Sequence, residues 1–121
     1  MMKRILVVDD DEILRMLICD TLEDLNYEID VVENGIEALR KIDEQTYDLI
    51  ILDYMMPQLT GVEVIERMPT NIKEITPILM LTAKAQQADR QTVLEKGANF
   101  FMSKPFSPVE LMALVEEILN E

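Results

Sequence analysis

The chain has 121 residues, 49% of them hydrophobic, and a formal net charge of −13. That length suits one compact domain, no apolar run approaches the roughly 20 residues of a bilayer span, and so acidic a surface repels nucleic acid and anionic lipid. Histidine is absent and cysteine occurs once, which excludes a histidine-dependent triad, a phosphohistidine on this chain and an internal disulfide.

The amino terminus, MMKRILVVDD, has too short an apolar stretch for a secretory signal, so a cytoplasmic protein is expected. Arg4–Val8 is a β-branched apolar run that reads as a buried strand. From Asp11 to Leu25, Leu14, Leu17, Ile18, Leu22 and Leu25 recur at helical spacing, and Cys19 reads as a small buried or half-buried residue of that helix. Tyr27–Val32 is the second strand. Asn34-Gly35 ends it, and Ile36, Leu39 and Ile42 form the apolar face of the second helix. Leu49–Leu52 is the third strand, followed by an irregular loop from Asp53 to Thr60. Gly61–Met68 is a short third helix, stopped near Pro69. Pro77 opens the fourth strand, Ile78–Leu81. A weakly amphipathic fourth helix is expected over Gln86–Lys96, with Gly97 as its stop. Asn99–Met102 is the fifth strand. The last helix starts with Ser107 as N-cap, Pro108 at the first position and Glu110 completing a capping box.

Five strand–helix units in succession predict a single α/β domain over residues 1–121, with a parallel, doubly wound sheet covered by helices on both faces. In such folds ligands bind outside the carboxyl ends of the strands. The residues there are Asp9-Asp10-Asp11, Asp53, Thr82-Ala83 and Ser103-Lys104-Pro105. Asp11 is the expected cap of the first helix. Thr82 or Lys104 alone would be an ordinary loop residue, but Asp53 directly follows four apolar residues. Together these groups form a set of carboxylates, one hydroxyl and one ammonium. Clustered carboxylates repel, and Mg²⁺, a hard oxygen-seeking cation, removes the conflict. A carboxylate beside such a cation is a plausible nucleophile toward phosphorus, and Lys104 and Thr82 are suited to neutralise phosphoryl oxygens.

The strings ILVVDDD, LIILDYMMPQLTG, ILMLTAKA and SKPF resemble the four signatures of CheY-like response-regulator receiver domains of two-component signalling systems. The resemblance runs from Ile5 to the final helix. It implies a flavodoxin-like sheet of strand order 2-1-3-4-5. It implies Asp53 as phosphoacceptor, and Mg²⁺ held by Asp10, by Asp9 directly or through water, by Asp53 and by the backbone carbonyl of Met55. Thr82 would contact the phosphoryl group, Lys104 would pair with Asp53 or its phosphate, and the Lys104-Pro105 bond would be cis. Phe101 aligns with an aromatic switch residue that is tyrosine in many members. The implied partners are a sensor histidine kinase or histidine phosphotransfer protein and a downstream protein target, with a monomer or weak homodimer and no direct contact with nucleic acid or membrane. The implied chemistry is self-phosphorylation and self-dephosphorylation, without turnover as an enzyme. Met55 and Lys84 offer no acceptor to orient an attacking water, so slow autodephosphorylation is expected. The output face would comprise the fourth helix, fifth strand and last helix, with Val109 or Met112 on a partner surface.

Asp9-Asp10-Asp11-Glu12-Ile13 also partly resembles the nucleophile motif of haloacid-dehalogenase-type phosphatases, but that scheme gives Asp53 no role. A calcium loop counted from Asp9 would need glycine and glutamate where Leu14 and Asp20 stand. A receiver that only binds partners would not need the intact set of Asp53, Thr82 and Lys104. The chain stops with no linker begun, which favours a stand-alone receiver over a fragment of a longer regulator with DNA-binding or enzymatic output.

Overall fold

The structure, a computed structural model, describes residues 2–83, 94–95 and 97–120. The elements are β1 (Arg4–Val8), α1 (Glu12–Glu23), β2 (Glu28–Val32), α2 (Gly35–Glu44), β3 (Leu49–Asp53), α3 (Gly61–Arg67), α4 (Thr70–Ile75), β4 (Ile78–Ala83), β5 (Phe100–Lys104) and α5 (Pro108–Leu119). The strands form one parallel sheet in the order β2-β1-β3-β4-β5. The expected flavodoxin-like topology is therefore present.

Side chains alternate across a strand, and the core divides accordingly. Leu6, Val8, Ile50, Leu52 and Met80 pack with Ala38 and Ile42 of α2 and Val64 and Ile65 of α3. Ile5, Val7, Ile51, Leu79 and Leu81 pack on the opposite face with Ile18 and Leu22 of α1 and Leu111, Val115 and Leu119 of α5. Every residue of β3 is buried, as a strand covered on both faces requires. Each such Leu or Ile contributes about 1.5–3 kcal/mol by leaving water, so the apolar runs fix both the sheet and the position of its polar rim.

Several expectations need correction. β4 and β5 each run two residues further than the apolar pattern, through Thr82-Ala83 and Ser103-Lys104, because the backbone ladder continues under polar side chains. An extra helix, α4, lies between α3 and β4, and none of its residues is buried. At α5, Ser107 Oγ accepts the Glu110 N–H (3.1 Å), which is only the first half of the expected capping box. The complete reciprocal box is at α3, between Thr60 and Glu63. Val109 is 70% exposed, while Met112 is half-buried. Leu114 and Ile118 pack on the core, so most of the apolar excess of the last helix is a wide core-facing stripe. The helix expected over Gln86–Lys96 lies, apart from residues 94 and 95, outside the described residues, as does Lys84. Among the described residues, no helix is long and apolar enough to cross a membrane.

Candidate functional site

Parallel pairing sets the strand ends side by side. Val8 stands opposite Leu52, so Asp9 and Asp53 follow on adjacent strands. Asp53 is opposite Leu81, and Ala83 is opposite Lys104. The ladder thus delivers the acids, the hydroxyl and the ammonium to one rim.

Lys104 Nζ is the hub. It donates to Asp53 Oδ1 (3.0 Å) and to Asp9 Oδ2 (3.1 Å). Asp9 is fully buried, and its Oδ1 accepts the N–H of Asp11 (2.9 Å). Asp10 is exposed. One carboxylate oxygen from each of Asp9, Asp10 and Asp53 lies within 4.8 Å of the others. Asp11 stands apart: its Oδ1 caps α1 by accepting from Ile13 (3.0 Å) and Leu14 (3.3 Å).

The charges do not balance. Burial, and then the neighbouring Asp9 charge, push the Asp53 pKa up to about 7, with Lys104 pulling the other way. Burial opposes the Lys104 ammonium, but Asp53 and Asp9 outweigh it and hold its pKa above the usual lysine value. Three carboxylates against one ammonium leave a deficit that a divalent cation fits, and an all-oxygen donor set suits Mg²⁺. Thr82 adds a second unmet demand. Its hydroxyl oxygen is buried and finds no hydrogen-bond partner among the described residues. A buried hydroxyl left unpartnered costs about 1–3 kcal/mol.

The loop after β3 closes tightly. The Gly61 N–H donates to the Tyr54 carbonyl (2.8 Å), and a Cβ at Gly61 would fall 2.6 Å from the Asp53 carbonyl oxygen and 2.7 Å from Met80 Sδ. Within this loop Met55 is 54% exposed and Gln58 takes φ 72°. A cavity of about 220 Å³ opens beside Asp10, lined also by Glu33, Asn34, Pro57 and Gln58. Phe101 is half-buried on β5 and packs against the α2–α3 core. The Lys104-Pro105 peptide is cis.

The structure therefore brings Asp9, Asp10, Asp53 and Lys104 together, with Thr82 on the adjoining strand end. Sequence reading missed Arg15, whose Nη1 donates to the Asp9 carbonyl (2.7 Å), and missed the requirement for Gly61. Arg15 had a faint signal, one turn into the helix that follows the acids. The contact of Gly61 with Asp53 has none in the sequence.

A model of the response regulator receiver domain matches residues 5–116. The alkaline phosphatase synthesis transcriptional regulatory protein PhoP of Bacillus subtilis is 45% identical over 99% of this chain and 50% of its own length. The chain spans about half the length of the curated relatives it matches. The chemotaxis protein CheY4 of Vibrio cholerae superposes with a TM-score of 0.90 at 36% identity, covering 98% of this chain and all of that one. The receiver domain of sensor histidine kinase PA1611 from Pseudomonas aeruginosa, described with a magnesium ion coordinated in the active site cleft, superposes with a TM-score of 0.86. Its identity is 32%, over the whole of both chains.

Proposed function

The chain belongs to the response regulator receiver domain family, and from that premise we propose that Asp53 takes a phosphoryl group from a phosphohistidine. The donor would be a sensor histidine kinase or a histidine phosphotransfer protein. The P–N bond of the donor breaks as a bond forms between phosphorus and an Asp53 carboxylate oxygen, and the imidazole nitrogen keeps the electron pair. The observation that carries this reading is Lys104 bridging Asp9 and Asp53 beside a buried Thr82 hydroxyl that awaits an acceptor.

Each residue has a task. Lys104 favours the ionised Asp53 needed for attack and offsets charge on the transferred group. Thr82 donates its hydroxyl hydrogen to a phosphoryl oxygen, which meets its unfilled bond. Mg²⁺, held by Asp9, Asp10, Asp53 and the Met55 carbonyl, would supply further charge neutralisation. The added phosphoryl charge at Asp53 and the new bond at Thr82 favour one of two preexisting states, with Phe101 on the adjacent strand as the packing element that responds. The output is a downstream protein contact, made by a cytoplasmic monomer or weak homodimer. The chain acts on itself and does not turn over substrate. A phosphatase built on Asp9 is disfavoured, because that carboxylate is fully buried with both oxygens engaged.

Two settings suit this chemistry. One is a single receiver domain, residues 1–121, that acts by protein contact alone. The other is the receiver part of a transcriptional regulator that binds DNA through a further domain. The 45% identity to about half of PhoP favours that second setting.

Incubation with acetyl phosphate and Mg²⁺, read by intact mass, tests the proposal. One phosphoryl group is expected, reduced at least about a hundredfold in Asp53→Asn. The label should then decay slowly, over far longer than seconds. A chain that no donor labels, kinase included, would overturn the assignment.

A further inference from the structure

We infer that Arg15 is a positioning residue for the cation-binding acids, acting through the peptide that joins Asp9 to Asp10. This inference rests on the proposed Mg²⁺ site. Lys104 braces Asp9 and Asp53, but Asp10 is exposed, so its placement depends on the backbone that carries it. That backbone is held on the far side of Asp10 by Asp9 Oδ1, which accepts the Asp11 N–H, and on the near side by Arg15. Arg15 Nη1 donates to the Asp9 carbonyl oxygen at 2.7 Å, and Nη2 lies 4.0 Å from Glu33 Oε2. The Arg15 side chain is only 18% exposed. Its planar fork thus spans from the end of β1 to the turn after β2, which a single ammonium cannot reproduce.

The carbonyl of Asp9 and the Cα of Asp10 lie in one rigid peptide plane. Turning that plane re-aims the Asp10 carboxylate, so fixing its oxygen limits where the carboxylate can go. Glu33 also lines the cavity beside Asp10, so the guanidinium lies next to one wall of the entrance. Groups that orient metal ligands in this way typically matter about 10–100-fold in affinity.

Charge and position predict opposite signs. Arg15 is a cation close to where Mg²⁺ would sit. If it acted only through its field, Arg15→Ala would tighten Mg²⁺ binding. If it positions Asp10, the same change weakens binding.

The test is calorimetric titration with MgCl₂ of the whole chain, alongside the Mg²⁺ concentration for half-maximal labelling by acetyl phosphate. We expect Arg15→Ala to weaken Mg²⁺ binding about tenfold and to raise the half-saturating concentration in parallel. Arg15→Lys, which keeps the charge but loses the fork, should weaken both about threefold, with Glu33→Gln below it. Circular dichroism checks the fold, and if Arg15→Ala is unfolded, Arg15→Lys decides. Unchanged or tighter Mg²⁺ binding in a folded Arg15 variant would overturn the inference. Failure of the unmodified chain to bind Mg²⁺ or take label would instead overturn the receiver chemistry itself.

Discussion

The two rims of the sheet treat their acids in opposite ways. At the amino ends of the strands, Arg4 pairs with Glu28 (2.8 Å) and Asp30 (3.8 Å) and bonds to Gln45. The Arg4 N–H serves Asp48 (2.8 Å), and the Tyr47 hydroxyl serves Asp30 (2.7 Å). Each acid has its own donor, and the side chains stay partly in water. At the carboxyl ends, Asp9 and Asp53 share one ammonium, and Thr82 holds an unfilled bond. Similar residues are settled at one rim and unsettled at the other. Fold stability accounts for the first arrangement, and the second is what the proposed cation and phosphoryl group would complete.

Three measurements would break or sharpen this contrast. The largest effect is expected from Lys104→Ala, which strands two buried carboxylates. In metal-free buffer it should cost about 2 kcal/mol, less than a fully dry pair because Lys104 retains some water contact. Mg²⁺ should restore at least half of that in denaturant melts. A loss indifferent to Mg²⁺ would mean that the cation does not share the site with Lys104.

Next comes pH. In the metal-free fold Asp53 keeps its proton up to about pH 7, whereas an unfolded aspartate releases it near pH 4. Between those values the native state binds more protons than the unfolded state. This group's contribution to stability therefore falls as pH rises through that window. Mg²⁺ requires the ionised form, so its apparent affinity should drop about tenfold per unit below about pH 7. Titrations at pH 6 and pH 8 would reveal it, and equal affinities would refute the proton competition. The smallest effect is expected at the settled rim. Arg4→Ala should cost less than about 1 kcal/mol, since its partners are partly hydrated, and Mg²⁺ should not alter the loss. A Mg²⁺-sensitive Arg4→Ala would dissolve the distinction.

What the sequence disclosed follows the same division. Apolar runs ending in Asp9, Asp53 and Thr82 marked strands and candidate site together, because a strand buried on both faces needs unbroken hydrophobicity and its polar terminus then stands out; half-buried β5 was legible only from the short run before Ser103-Lys104. Helix α4 left no trace, because none of its residues is buried and an unburied helix needs no periodic face. The reciprocal cap formed at Thr60–Glu63 instead of Ser107–Glu110, since both strings meet the same local rule and only three-dimensional context separates them. The grip of Arg15 on Asp9 depends on how α1 lies against the strand end, which spacing along the chain does not specify.

The closure at Gly61 has a practical corollary. The loop is a small ring fastened between Tyr54 and Gly61 and anchored inward by the buried Met56 and Leu59, while Met55, Pro57 and Gln58 face outward. Of the outward positions, Gln58 is held at φ 72°, a backbone conformation that strains most side chains, so Met55 and Pro57 are the ones open to replacement while the clasp is left alone.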